Sequence, residues 1–208
     1  MMKHFVFSCM ILFLLCMHTT VRAINTGDML VTIPDSIMPY VQHGQVTDLI
    51  NMKRIDPMTP ACLTTMLKGE ISLDTLSDDY LAIRMEQVTI EMARLKAVDD
   101  SIFCLLYTMP APEHTSCARL YDRNWNQIAF IDFCDSCLLA VSDTLDDNEY
   151  ADLNKLIEFP VIEAHFNRED VSTVFLNQES VMLNSEEKNK LHPLLIQRTL
   201  KWDGEKFK

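Results

Sequence analysis

Apolar and polar side chains alternate with a period of two over much of the chain, and only a few stretches switch to the period of a helix. In Leu81-Ala82-Ile83-Arg84-Met85-Glu86 and Val88-Thr89-Ile90-Glu91-Met92, apolar residues alternate with polar or small ones, which predicts strands with one buried face. The alternation slips before Leu95, which predicts a bulge. Residues 102–109 are apolar on both alternating sets, as in a central strand covered on both sides. Residues 62–67 and 71–73 flank Lys68-Gly69, and residues 118–121 and 127–133 flank the turn formers Asp122-Arg123-Asn124, so each set predicts a hairpin. Residues 161–166, 172–177 and 180–183 read as further strands. Residues 196–202 read as the last, with Asp203-Gly204 as a two-residue turn from which 205–208 pair back.

Helical spacing is confined to three regions, the first of which, residues 25–52, reads as short helices punctuated by Pro34 and Pro39. Val46, Leu49, Ile50 and Lys53 share a face, with Thr47-Asp48 near its start and Gly44 as the stop of a preceding short piece. A helix over 148–159 is capped by Asp146 or Asp147, buries Tyr150, Leu153, Leu156 and Ile157, and stops at Pro160. Ser185 caps a short helix over 186–191, ended by Pro193. Strands that follow one another through short turns form antiparallel meanders rather than βαβ crossovers. The expected fold class is α+β, a predominantly antiparallel meander sheet with a few short helices, and residues 24–208 read as a single α+β domain.

The first residues read as a signal peptide. Lys3 and His4 precede an apolar run over 5–17, which is shorter than the roughly 20 residues a membrane-spanning helix needs. Val21 and Ala23 occupy the −3 and −1 positions of a cleavage site, so cleavage is expected after Ala23 and the protein is expected to be periplasmic or secreted. Loss of Lys3 and Arg22, with no acidic residue, takes the formal net charge from −12 to −14. Such an acidic surface repels phosphate backbones and anionic lipid, which argues against nucleic-acid and membrane-surface binding.

Candidate chemistry is sparse. The four glycines, Gly27, Gly44, Gly69 and Gly204, are too scattered for a phosphate-cradling loop, and no nucleophile elbow or HExxH pattern occurs. No cofactor or metal site is expected, since His43, His114, His165 and His192 lack ligand spacing. Cys134-Asp135-Ser136-Cys137 is a CxxC pair that reads as a local structural disulfide, as two unpaired thiols in a loop, or as a redox centre. No tryptophan precedes it and no βαβ unit surrounds it, so a local structural role is the simpler expectation. Cys104 reads as a small core residue. The acidic stretch Asp132, Asp135, Asp143, Asp146, Asp147, Glu149, Asp152 contains no Lys or Arg; it offers oxygen ligands for calcium but lacks the order of a calcium loop, and reads as a solvated segment. Trp125 and Trp202 are the candidate binding aromatics, with core or hairpin packing as the plainer alternative.

Several short motifs occur in a telling order: Ile33-Pro34-Asp35-Ser36-Ile37-Met38-Pro39-Tyr40, Asp48-Leu49-Ile50, Leu76-Ser77-Asp78-Asp79-Tyr80-Leu81, Asp99-Asp100-Ser101 and Tyr121-Asp122 followed by Trp125. Over roughly residues 24–135 the chain resembles a Bacteroidales family of exported proteins, domain of unknown function 3256. The likeness fades beyond Phe133, and the CxxC pair is not part of the pattern. The resemblance implies a signal peptide and life outside the cytoplasm, and it brings no catalytic residues. The expected function is a non-enzymatic binding or interaction module for an envelope protein or small ligand, with thiol–disulfide chemistry at Cys134 and Cys137 as the alternative.

Overall fold

The computed structural model describes residues 24–39, 41–65, 68–97, 100–110, 114–133, 146, 148, 151–152, 155, 160–180, 183–191, 195 and 197–208. Helix α1 (Thr26–Val31) and helix α2 (His43–Ile55) precede seven strands: β1 (Ala61–Thr64), β2 (Glu70–Leu76), β3 (Tyr80–Met85), β4 (Val88–Lys96), β5 (Ser101–Met109), β6 (Thr115–Tyr121) and β7 (Gln127–Asp132). Strands β8 (Pro160–Phe166) and β9 (Thr173–Ser180), helix α3 (Ser185–Leu191) and strand β10 (Arg198–Lys201) follow. Among the described residues the strands form two antiparallel sheets, one of seven strands in chain order β1 to β7 and one of three in the order β10-β9-β8. The antiparallel α+β reading therefore holds.

Three layers result. Helices α1 and α2 pack Met29, Leu30, Val46, Leu49 and Ile50 against Ile71, Leu73, Ile83, Ile90, Met92, Phe103 and Leu105 on one face of the large sheet. The small sheet packs Ile162, Ala164, Phe166, Val174 and Leu176 against Ala82, Ala93, Leu95, Cys104, Leu106, Ala118 and Leu120 on the other. The two covers are offset: the helices lie against β1 to β4, whereas β8 lies against β4 to β6. Strand β5 runs beneath both covers, and Phe103, Cys104, Leu105 and Leu106 are all fully buried. Its unbroken apolar run is the signature of that position.

The offset explains one departure from expectation. No bulge interrupts β4, whose register with β5 is continuous from Thr89 to Lys96. Ile90 and Met92 face the helices, while Ala93 and Leu95 face the small sheet. The slip in the apolar pattern thus records a change of buried face along an unbroken strand. Register shifts occur instead between Leu73 and Thr75 and between Leu120 and Tyr121.

Smaller corrections concern the helix ends and the last turn. Gly44 lies inside the first turn of α2, which Gln42 and Gln45 close with a reciprocal capping box. Asn184, one residue before Ser185, caps α3 by accepting from the N–H groups of Glu186 and Glu187 at 2.9 and 3.0 Å. Residues 203–206 form the final turn, closed by Asp203 N–H to Lys206 O at 3.1 Å, and Trp202 bridges to Phe207. The turn holds four residues rather than two. The expected helix over 148–159 falls largely outside the described residues.

The start of the described chain is stitched to the turn between β2 and β3. Thr26 N–H donates to Asp78 O at 3.1 Å and Thr26 Oγ1 to Ser77 O at 2.6 Å. Arg94 pairs with Asp79 and donates to Ile24 O at 3.2 Å. No helix among the described residues is long and apolar enough to cross a membrane.

Candidate functional site

A chain of ionisable side chains runs from the surface into the space between the sheets. Glu91, on β4, points toward the small sheet and is 5% exposed. Tyr80 donates its hydroxyl to Glu91 Oε1 at 2.6 Å, and the Phe166 N–H donates to Oε2 at 3.0 Å. His165 Nδ1 lies 3.8 Å from the same Oε2. On the outer side, Glu163 Oε1 is 3.2 Å from His165 Nε2 and 3.4 Å from His114 Nδ1. Histidines and carboxylates therefore alternate in the order His114, Glu163, His165, Glu91, and the Tyr80 hydroxyl closes the row as a donor.

Burial pushes the Glu91 carboxyl up, but the interactions with His165, Tyr80 and the Phe166 N–H together outweigh it and hold the group below its ordinary value. The Glu91 carboxylate raises His165, against the opposing effect of partial burial, and Glu163 adds to the rise. Burial, then the charge of Glu91, push the Tyr80 hydroxyl up. The cluster thus contains a buried carboxylate kept ionised by donors from both sheets. Tyr80 is 2% exposed, so these two groups meet each other rather than a substrate. Nearby, Ser116 Oγ accepts from the Ala164 N–H at 2.9 Å and lies 2.8 Å from Thr108 Oγ1, a second polar link between the layers.

At one end of the gap between the sheets lies a cleft of about 700 Å³, whose lining includes Arg94, Lys96, Ser101, Glu169, Asp170 and Trp202. Trp202 is 7% exposed. Its indole N–H donates to Lys96 O at 2.7 Å, and its ring meets Phe207 edge-on at 5.2 Å. It belongs to the core and forms part of the cleft wall. Trp125 is half-buried, with its ring edge-on to Tyr121 at 5.4 Å and its N–H donated to Thr32 Oγ1 at 3.1 Å. The structure does not bring the two tryptophans together.

A third feature is the flank of the large sheet beyond the helices. Ile128 and Phe130, on β7, point to the helix-covered side yet are each 53% exposed. In register, Phe130 lies opposite Arg119 and Asp132 opposite Cys117. The Arg119 guanidinium sits 5.7 Å from the centre of the Tyr107 ring. Burial pushes the Cys117 thiol up. Among the described residues, β7 pairs only with β6.

Cys134 and Cys137 lie outside the described residues, as do Asp135, Asp143, Asp147 and Glu149 of the acidic stretch. Cys62, Cys104 and Cys117 are free thiols, with Cys104 in the core as expected. No group of three metal-ligating side chains occurs among the described residues. The Glu91 cluster is absent from the sequence reading because its members lie 75 positions apart and pairing between sheets has no local signature. The available signal was a glutamate in phase with Ala93 and Leu95, on the side of β4 that turns apolar toward its end.

Fold and site together define an antiparallel α+β protein, with a sheet covered unequally on its two faces and no assembled catalytic constellation among the described residues. The chain belongs to the family described as protein of unknown function DUF3256, whose model matches residues 18–207. The match extends through the C-terminal third, where the short motifs did not carry the resemblance. The fold is similar to the structure of a domain of an uncharacterized protein from Porphyromonas gingivalis W83, with a TM-score of 0.69 and 19% identity over 89% of this chain and 98% of that one. No curated protein matches the chain.

Proposed function

We propose that the protein is exported, is released near Ala23 into the periplasm or medium, and acts there as a binding module through the open flank of its large sheet. The observation that carries this reading is the exposure of Ile128 and Phe130 on an edge strand. Edge strands that avoid association carry lysine, proline or a bulge; Gln127-Ile128-Ala129-Phe130-Ile131-Asp132 has neither lysine nor proline, and its one irregularity sits at its start, leaving Ala129 to Asp132 in regular register. An edge strand offers backbone donors and acceptors, and its alternate apolar side chains offer pockets for a partner strand.

The partner that fits is an extended protein segment with apolar side chains at alternate positions and basic residues at one flank. Asp132 ends β7, no Lys or Arg follows it up to Asp152, and the chain carries a formal net charge of −12. Basic flanking residues would meet that acidity at the strand's end.

The test uses a synthetic peptide of alternating valine and threonine ending in two lysines. Amide-exchange protection should rise at residues 127–132 and nowhere on β1. Ile128→Asp should abolish the gain, and a proline-substituted peptide should give none. Unchanged protection at β7 with the first peptide would reject this binding mode. Export is checked separately, by the mass of the N-terminus of protein recovered from the envelope and medium; a chain still beginning at Met1 would reject that part.

A further inference from the structure

We propose that Glu91 and His165 form a proton-operated clamp between the two sheets, which grips in mildly acidic surroundings and slackens as the medium becomes alkaline. The geometry gives the clamp both jaws. Glu91 belongs to β4 of the large sheet, and His165 and the Phe166 N–H belong to β8 of the small one. His165 faces Glu91 from β4 and Glu163 from β8 itself, and His114, from the segment before β6, meets Glu163 on its outer side. Tyr80 from β3 donates to Glu91, Arg168 from the turn after β8 acts on Tyr80, and Cys104 from β5 is buried within reach of the Glu91 charge. Two carboxylates, Glu91 and Glu163, thus face one imidazole, so protonation of His165 offsets half of the negative charge they carry together.

The clamp bears on the cleft. Residues 167–172 continue directly from Phe166, and Glu169, Asp170, Val171 and Ser172 wall the cleft opposite Lys96 and beside Trp202. Trp202 is held from two sides, its backbone N–H donating to Ser172 O and its indole N–H to Lys96 O. Slackening at His165 shifts this wall first.

The two titrations bound the working range. His165 is raised, so its contribution is complete below its unfolded value of 6.5 and is lost as pH rises through the folded one. Glu91 is lowered, so its contribution is present above its unfolded value of 4.5 and is lost as pH falls through the folded one. Both are in force between those limits.

The test compares the parent protein with His165→Gln, Glu91→Gln and His114→Gln, all carrying Trp125→Phe so that Trp202 is the remaining tryptophan. Tm and acrylamide quenching of Trp202 are measured from about pH 5.5 to about pH 8.5. Parent Tm should fall across this range by about 2–4 °C more than that of His165→Gln. Quenching of Trp202 should rise with pH in the parent and stay level in His165→Gln and Glu91→Gln, while His114→Gln keeps the parent's slope. General repulsion among the acidic residues acts on all variants alike and drops out of the differences. If Glu91→Gln does not fold, the His165→Gln comparison alone decides. Equal pH slopes in parent and His165→Gln overturn the clamp.

Discussion

The indole N–H of Trp125 donates to the hydroxyl of Thr32 across 3.1 Å, joining the loop between β6 and β7 to the residue that ends α1, 93 positions earlier. Trp125 holds a φ of +63°, a left-handed conformation that costs energy in a bulky residue. Asp122 secures the loop by accepting from the N–H groups of Asn124 and Asn126, each at 2.8 Å. The Asn126 side chain and these backbone donors hold the Asp122 carboxyl below its ordinary value.

Trp125→Ala should therefore lower stability by about 1–2 kcal/mol, a part of what full burial of a large apolar side chain is worth. Thr32→Val should cost about 1–3 kcal/mol, since it removes both the bond accepted from Trp125 and the one that Thr32 Oγ1 donates to Met29 O at 2.9 Å. Urea unfolding monitored by far-UV circular dichroism measures both. Equal stability of Trp125→Ala and the parent would show that the ring does not fasten α1.

Ser116→Ala should cost about 1–3 kcal/mol, because it leaves the buried Ala164 N–H without its acceptor. Thr115→Ala, one residue away and half-buried, should stay within about 0.5 kcal/mol of the parent. The difference between the two urea midpoints is the measurement, and equal costs would deny Ser116 its linking role.

At neutral pH, Glu91→Gln should lose about 1.5–3 kcal/mol, the range for hydrogen bonds to a charged group. Because the folded state holds Glu91 below its unfolded value, the parent's advantage should shrink as pH falls through the folded value. Urea midpoints at pH 7 and about pH 3.5 test this. A gap that widens on acidification would have the wrong sign.

Thiol labelling should separate three cysteines when Cys134 and Cys137 are replaced by serine. Cys62 is exposed, Cys117 half-buried and Cys104 fully buried with its thiol pushed up by burial. A disulfide reagent should modify Cys62 first, Cys117 more slowly and Cys104 only on unfolding. Labelling of Cys104 in the native state at a rate comparable to Cys62 would contradict its place in β5.

The unbroken apolar run of β5 states directly that both of its faces are buried. The alternation in β3 suggested one buried face, yet Tyr80, Leu81, Ala82 and Ile83 are all buried, because the small Ala82 and the hydrogen-bonded Tyr80 lie beneath the small sheet while Leu81 and Ile83 lie beneath the helices. The slip in β4 was legible as a disturbance but not as a cause, since a bulge and a change of buried face disturb the period alike. Asn184 was passed over for Ser185 because both are good caps, and the difference lies in which side chain reaches the free N–H groups. The histidines looked isolated because spacing along the chain reveals ligand sets within one element, whereas His165 and Glu91 meet across two sheets. Trp125 was legible as an aromatic in a turn, but its partner on α1 was not.

The order of strands in the large sheet has a kinetic consequence. Each of its neighbours is also the next strand along the chain, so pairing requires only short loops to close. The bonds between layers span far more chain: 48 residues from Ser116 to Ala164, 75 from Glu91 to Phe166 and 106 from Lys96 to Trp202. Long closures of this kind carry the greater entropic cost and are made after the short ones. Substitutions between the layers should then chiefly hasten unfolding, while those within the hairpins of the meander slow its formation.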